Sequence, residues 1–192
     1  MRKVFFDSSA LIKLFVKEEE PATTIAREIW NNITIVYSSV ISVGELFSAF
    51  AKKKREKSLS PGAYIDACRE FIVTLRKSPN EEVSLAIDVL KGKPPIPTTR
   101  QIRLLPLPDY IVRLSQSLSS IVKKYAIEFG DAWHLMVLLL NLGMFKKSGY
   151  EPLFVSSDDK FCKAVEKERY EVLNLNLPKK EMMEIFHITL EK

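Results

Sequence analysis

Short apolar runs alternate with amphipathic stretches along this chain. Lys3-Val4-Phe5-Phe6 leads directly into Asp7, and residues 3–7 read as a strand. Ala10, Leu11, Leu14 and Phe15 then recur at the spacing of one helix face, which predicts a helix over 8–17. Pro21 predicts a second helix to about Asn31, because proline fits a first helical turn. The β-branched run 33–37 predicts a second strand. A long helical pattern covers 42–57, and Pro61 opens another to about Arg76. Further on, 102–105 reads as a strand and 108–125 as a helix. Gly130-Asp131 opens a helix expected to stop near Gly143, a natural C-terminal cap. A strand over 153–156, a helix over 158–168 and a last strand over 171–173 complete the pattern. This order predicts an α/β fold of three layers, α/β/α, around a central parallel sheet.

Residues 78–98 interrupt the rhythm. Ser78-Pro79-Asn80 signals a turn, Glu82 to Leu90 could form a short helix, and Gly92 to Pro97 reads as a loop. The stretch reads as an elaboration within one domain spanning 1–174. The remaining 175–192 form a C-terminal tail, in which Met183, Ile185, Phe186, Ile188 and Leu190 could dock as helix or strand or meet a second subunit.

The 192 residues are 46% hydrophobic, enough for a sizeable core and too many for a disordered chain. The net charge of +5 permits an anionic partner such as RNA without requiring one. Cys68 and Cys162 stand alone, outside any metal-binding spacing, which speaks against a disulfide framework or zinc site and for a reduced, cytoplasmic setting. A strand begins almost at once, so no signal peptide is expected. The longest apolar run, Leu135 to Leu140, is too short to span a bilayer.

Four acids, Asp7, Glu45, Asp131 and Asp158, each lie where the chain enters a helix. Singly, each has an ordinary explanation. Aspartate is a favoured helix N-cap, and Ser42-Val43-Gly44-Glu45 fits a capping box in which Glu45 reaches back to the Ser42 amide. Capping would accept Ser, Thr or Asn as well, yet an acid stands at all four places. In an open parallel sheet, sites form at the carboxyl ends of the strands. Asp7 and Asp158 follow strands there, and the helices carrying Glu45 and Asp131 should start at the same edge. Converging carboxylates repel one another unless a cation joins them. Oxygen ligands of this kind suit a hard divalent ion such as Mg2+.

Phe5-Phe6-Asp7-Ser8-Ser9-Ala10-Leu11-Ile12-Lys13 resembles the opening strand and helix of PIN domains. Ser38-Ser39-Val40-Ile41-Ser42-Val43-Gly44-Glu45-Leu46 resembles the second acidic motif of that family. Phe129-Gly130-Asp131-Ala132-Trp133-His134-Leu135 resembles the third, and Val155-Ser156-Ser157-Asp158 the last. All four occur in the family's order, across about residues 1–174, and the nearest likeness is to VapC-type toxins. The resemblance implies a metal-dependent endoribonuclease that hydrolyses RNA phosphodiester bonds with Mg2+ or Mn2+. It implies Asp7 and Asp131 as central ligands, and Glu45 and Asp158 as ligands directly or through water. Ser8 and Ser156 would support a ligand carboxylate or a substrate phosphate. It further implies a toxin with an antitoxin protein as partner, acting as a homodimer. The chain departs from the small toxins in its length, through 78–98 and the tail, and in the adjacent pair Asp158-Asp159, of which Asp158 has the family's spacing from Ser156.

Other features have two readings. Lys52-Lys53-Lys54-Arg55 and Lys57 suit a solvated helix C-terminus or a grip on RNA phosphates. His134, three residues after Asp131, could be an acid, a ligand or a satisfied buried histidine; His187 has no assigned role. Phe47, Phe50, Trp133 and Phe161 fall at core spacings. A phosphatase with an aspartate nucleophile needs an acid two residues on, where Ser9 stands. A receiver-like domain would want an acidic pair near the first strand. An RNA-processing nuclease outside toxin–antitoxin pairs and a non-catalytic PIN-like binding module remain alternatives.

Overall fold

The computed structural model describes residues 2–16, 18, 20–33, 35–75, 101–105, 111–147, 149 and 151–190. The expected turn at 78–80, the helix over 82–90 and the loop at 92–97, and with them the whole elaboration at 78–98, lie outside these residues. Five strands, β1 (Arg2–Phe6), β2 (Ile35–Ser39), β3 (Gln101–Leu105), β4 (Glu151–Ser156) and β5 (Glu171–Asn174), form one sheet in the order β3-β2-β1-β4-β5. Every neighbouring pair is parallel. Around it lie α1 (Ser8–Phe15), α2 (Pro21–Asn32), α3 (Ile41–Arg55), α4 (Pro61–Thr74), α5 (Ile111–Tyr125), α6 (Phe129–Lys147), α7 (Asp159–Lys167) and α8 (Lys179–Leu190). The expected α/β/α architecture is the one observed.

Period-two alternation in the strands divides the core into two layers. Val4 and Phe6 of β1, Val36 of β2, and Leu153 and Val155 of β4 belong to one buried cluster with residues of α1 to α4. Phe5, Tyr37 and Phe154 face the other, where Leu135, Met136 and Leu138 of α6 and Phe161 and Val165 of α7 pack. The first layer is anchored by rings: Phe71 lies 5.4 Å from Phe15, 5.6 Å from Phe47 and 6.4 Å from Phe50. Cys68 and Cys162 are buried and unbonded to one another.

Several boundaries differ from expectation, each for a local reason. Strand β2 covers 35–39 instead of 33–37, because Ser38 and Ser39 find buried partners for their hydroxyls and the strand can continue through them. Ser38 Oγ donates to the Phe6 carbonyl at 2.7 Å. Helix α6 runs through Gly143 to Lys147. An interior glycine costs only about 1 kcal/mol relative to alanine, too little to halt a helix already under way. The capping box at Ser42 does not form. Helix α3 starts at Ile41, Ser42 Oγ lies 2.6 Å from Ser38 Oγ, and Glu45 bonds elsewhere. The tail, ambiguous in sequence, is a helix that buries Met182 in the first core layer.

The strand order places a topological switch between β1 and β4. The chain leaves β1 toward β2 and β3 on one side, then returns to β4 and β5 on the other. A crevice at the carboxyl ends of β1 and β4 is the expected site in such a sheet. Asp7 and Ser156 to Asp158 stand at those ends.

Candidate metal centre

Asp7 is the N-cap of α1 and is only 4% exposed. Its Oδ1 accepts from the Ala10 amide at 2.8 Å. Ser156, at the end of β4, donates to Oδ2 at 2.6 Å. Ser9 donates to both carboxylate oxygens, at 2.8 and 3.0 Å, and its own oxygen accepts from the Ser157 amide at 2.7 Å. Capping and site-building therefore coexist in one side chain: the helix holds one oxygen and the neighbouring strand holds the other. Burial pushes the Asp7 carboxyl above its usual value, while the hydrogen bonds from Ser156, Ala10 and Ser9 and the nearby His134 oppose that rise.

Glu45 lies one turn into α3 and is half-buried. Its Oε2 accepts a short hydrogen bond from Ser8 of α1 and a second from His134 Nε2 at 2.8 Å. The other oxygen, Oε1, occupies the space above Gly130 at the start of α6. A Cβ added there would come within 2.7 Å of it. Burial raises the Glu45 pKa, but the bonds from His134 and Ser8 outweigh it and hold the group below the usual carboxylate value. The capping-box position thus belongs to a bridge between α1, α3 and α6.

Asp131 sits in the first turn of α6, inside the helix rather than at its cap. Its carboxyl is pushed up to about 6, by burial first and then by the negative charges of Asp158 and Asp7. Asp158 caps α7, with Oδ1 accepting from the Phe161 amide at 2.8 Å, and its own amide donates to Ser156 Oγ at 2.9 Å. Asp159 is exposed and accepts from Asn174 at 2.8 Å and Asn176 at 3.2 Å, which hold it below the ordinary value.

The four acids fall into two bonded groups and a looser third. Asp7 joins Ser9 and Ser156, and the Asp158 amide joins them at Ser156 Oγ; Glu45 joins Ser8 and His134; Asp131 meets Asp158 and Asp7 through charge. Among the described residues, no three His, Cys, Asp or Glu side chains are arranged to enclose a metal ion. The basic run begins beyond Glu45 on the same helix and ends at Arg55, ten residues or about 15 Å along it. Within it, Lys53 pairs with Glu18 and Lys54 lies over Tyr64 at 4.7 Å. A surface hollow lined by Glu18, Glu20, Arg27 and Lys179 shares no residue with the acids.

Residues 4–90 match the family model of the PIN domain. The matched segment runs from β1 past α4 and includes Asp7 and Glu45, and it supports the PIN family for this chain. Asp131 and Asp158 lie beyond its end. PIN domains are typically metal-dependent nucleases that use Mg2+ or Mn2+ on RNA and other nucleic acids. No curated protein matches the chain. Among the described residues, no helix is long and apolar enough to cross a membrane.

Sequence reasoning passed over Ser9, Ser39 and Gly130; it reads His134 first as a satisfied buried histidine, and the ring is buried with both nitrogens bonded. Ser9 follows Ser8 directly, and Ser39 ends an apolar run, so a hydroxyl at a strand or helix junction was the available signal. Gly130 gave none, since its role depends on where Glu45 points.

Proposed function

We propose that this chain is an endoribonuclease that hydrolyses RNA phosphodiester bonds with Mg2+ or Mn2+, the metal held by Asp7, Glu45, Asp131 and Asp158. The observation that carries the reading is the meeting of Asp7 and Asp158 at Ser156, whose hydroxyl donates to Asp7 at 2.6 Å and accepts from the Asp158 amide at 2.9 Å, with Asp131 close enough to feel both charges. Acids just past the ends of β1 and β4 and in the first turn of α6 feel one another's charge, an arrangement that a cation would relieve. The donor set fits the ion. It is carboxylate oxygen without thiolate, and Mg2+ takes few carboxylates and keeps several waters, so a closed cage is not required. The space above Gly130 that a Cβ would fill holds Glu45 Oε1.

Asp7 and Asp131 are the central ligands in this reading, with Glu45 and Asp158 binding directly or through water. Ser8 and Ser156 orient Glu45 and Asp7 by the bonds described above. A bound ion would lower the pKa of water and offset charge growing on the phosphate oxygens. Ser9 stands where an aspartate-nucleophile phosphatase would place its acid, and its hydroxyl is committed to Asp7. The finer assignment, a toxin acting as a homodimer in the cytoplasm and neutralised by an antitoxin protein, is supported by the likeness of the four acidic segments to VapC-type toxins.

Asp7→Asn tests the reading. The variant should fold, because Asn can still cap α1, and should lose Mg2+-dependent RNA cleavage. Cleavage at the wild-type rate by this variant, or wild-type cleavage that survives EDTA, overturns it.

A further inference from the structure

His134 is 2% exposed, yet it is bonded at both ring nitrogens. Nδ1 lies 2.7 Å from Ser39 Oγ at the end of β2. Nε2 lies 2.8 Å from Glu45 Oε2 on α3. The ring meets the edge of Phe161, with centroids 6.3 Å apart, and this packing fixes its plane. One side chain of α6 therefore spans from the end of a strand to the acid of another helix.

The chemistry of the two ends determines where the proton sits. Glu45 Oε2 already accepts from Ser8 and lies 2.8 Å from Nε2, and a carboxylate has no hydrogen to give. Nε2 must therefore carry the hydrogen. Ser39 is fully buried, and its hydroxyl can donate to a bare Nδ1 or accept from a protonated one. It suits a neutral ring and a cationic ring alike, and in both the Nε2–H faces Glu45. Ser8 is the second donor to that same oxygen. Oε2 thus has both its donors from protein, and Oε1, above Gly130, is left for another partner.

We infer that His134 is a positioning residue for Glu45, with the carboxylate fixing its Nε2–H and Ser39 anchoring the far side of the ring, so that the pair presents Oε1 toward the metal. The inference rests on the metal-dependent nuclease reading. A histidine that merely filled the core would need neither a fixed tautomer nor a carboxylate partner.

The test uses full-length protein. In metal-free protein, nitrogen NMR of the His134 ring should show hydrogen on Nε2; a bare Nε2 with hydrogen on Nδ1 overturns the inference. Mn2+ titration followed by electron paramagnetic resonance then compares two variants. His134→Met fills a similar volume without a donor, and His134→Gln places an amide N–H near the position of Nε2. Loss of an outer partner costs metal affinity on the order of 10–100-fold, so His134→Met should weaken Mn2+ at least about tenfold while His134→Gln stays within about threefold. Equal binding by wild type and His134→Met, or equal weakening in both variants, overturns the inference and leaves the metal reading standing. A wild type that binds no Mn2+ removes both. If His134→Met does not fold, Ser39→Ala carries the same expectation, with Ser39→Thr restoring affinity; equal binding by wild type and Ser39→Ala overturns it.

Discussion

Gly130→Ala separates the stability of the fold from the geometry of the site. A Cβ at residue 130 would lie 2.7 Å from Glu45 Oε1, where ordinary contact begins at 3.4 Å. The oxygen must retreat by about 0.7 Å. If the carboxylate moves as a unit away from α6, its 2.8 Å bond from His134 stretches toward about 3.5 Å, beyond the ordinary hydrogen-bond range. The fold loses little. The atom that moves is the end of a flexible side chain, losing one bond costs about 0.5–1.5 kcal/mol, and alanine regains up to about 1 kcal/mol of helix propensity. The net stability change should lie within about 1 kcal/mol. The chemistry should lose much more, because a displacement near 1 Å in a positioned group can cost about a hundredfold. Urea unfolding in EDTA gives the first quantity; cleavage of a labelled RNA under Mg2+ gives the second. A folded Gly130→Ala that cleaves as wild type does would refute the claim that Glu45 Oε1 faces the ion.

Three further outcomes follow from the same geometry. Asp131 titrates near 3.8 when unfolded and about 6 when folded, so it favours the fold below pH 3.8 and withdraws that help as pH rises through about 6. In EDTA, the Tm of wild type should therefore fall relative to Asp131→Asn between about pH 4 and 6; a difference between the two that stays flat over this window rejects the assignment. Saturating Mg2+ should stabilise wild type near pH 7 and leave an Asp7→Asn, Asp131→Asn double variant unmoved, as differential scanning calorimetry would show. Phe71→Ala empties the centre of the ring cluster formed with Phe15, Phe47 and Phe50 and should cost about 3–5 kcal/mol by urea unfolding.

The parts of the fold readable in sequence are those set by local pattern. Phe5 and Phe6 alternate between the two core layers, and Ala10, Leu11, Leu14 and Phe15 share a helix face, so β1 and α1 could be placed without any long-range contact. The strand order could not, because it depends on which apolar edges meet in space. Boundaries failed where a polar group found a distant partner. Ser38 and Ser39 look like the end of a strand until Phe6 and His134 are seen to satisfy their hydroxyls. Glu45 looks like the second half of a capping box until Ser8 and His134 take its oxygen. The acids stood out because four carboxylates at helix entries exceed what capping needs. Their partners did not, since serine, histidine and glycine are common where chains turn. His134 shows the difference: three residues after Asp131 it reads first as a satisfied buried histidine, and the structure buries it, but the sequence does not show that Ser39 on one side and Glu45 on the other are what satisfy it.

Anomalous diffraction from crystals of the protein soaked in Mn2+ bears most directly on the shared site. A single strong peak about 2 Å from a carboxylate oxygen of Asp7 or Asp131, with Glu45 Oε1 turned toward it, is the expected result. Peaks confined to other surfaces, with these four acids bare at saturating Mn2+, would contradict the proposal that they hold one ion together.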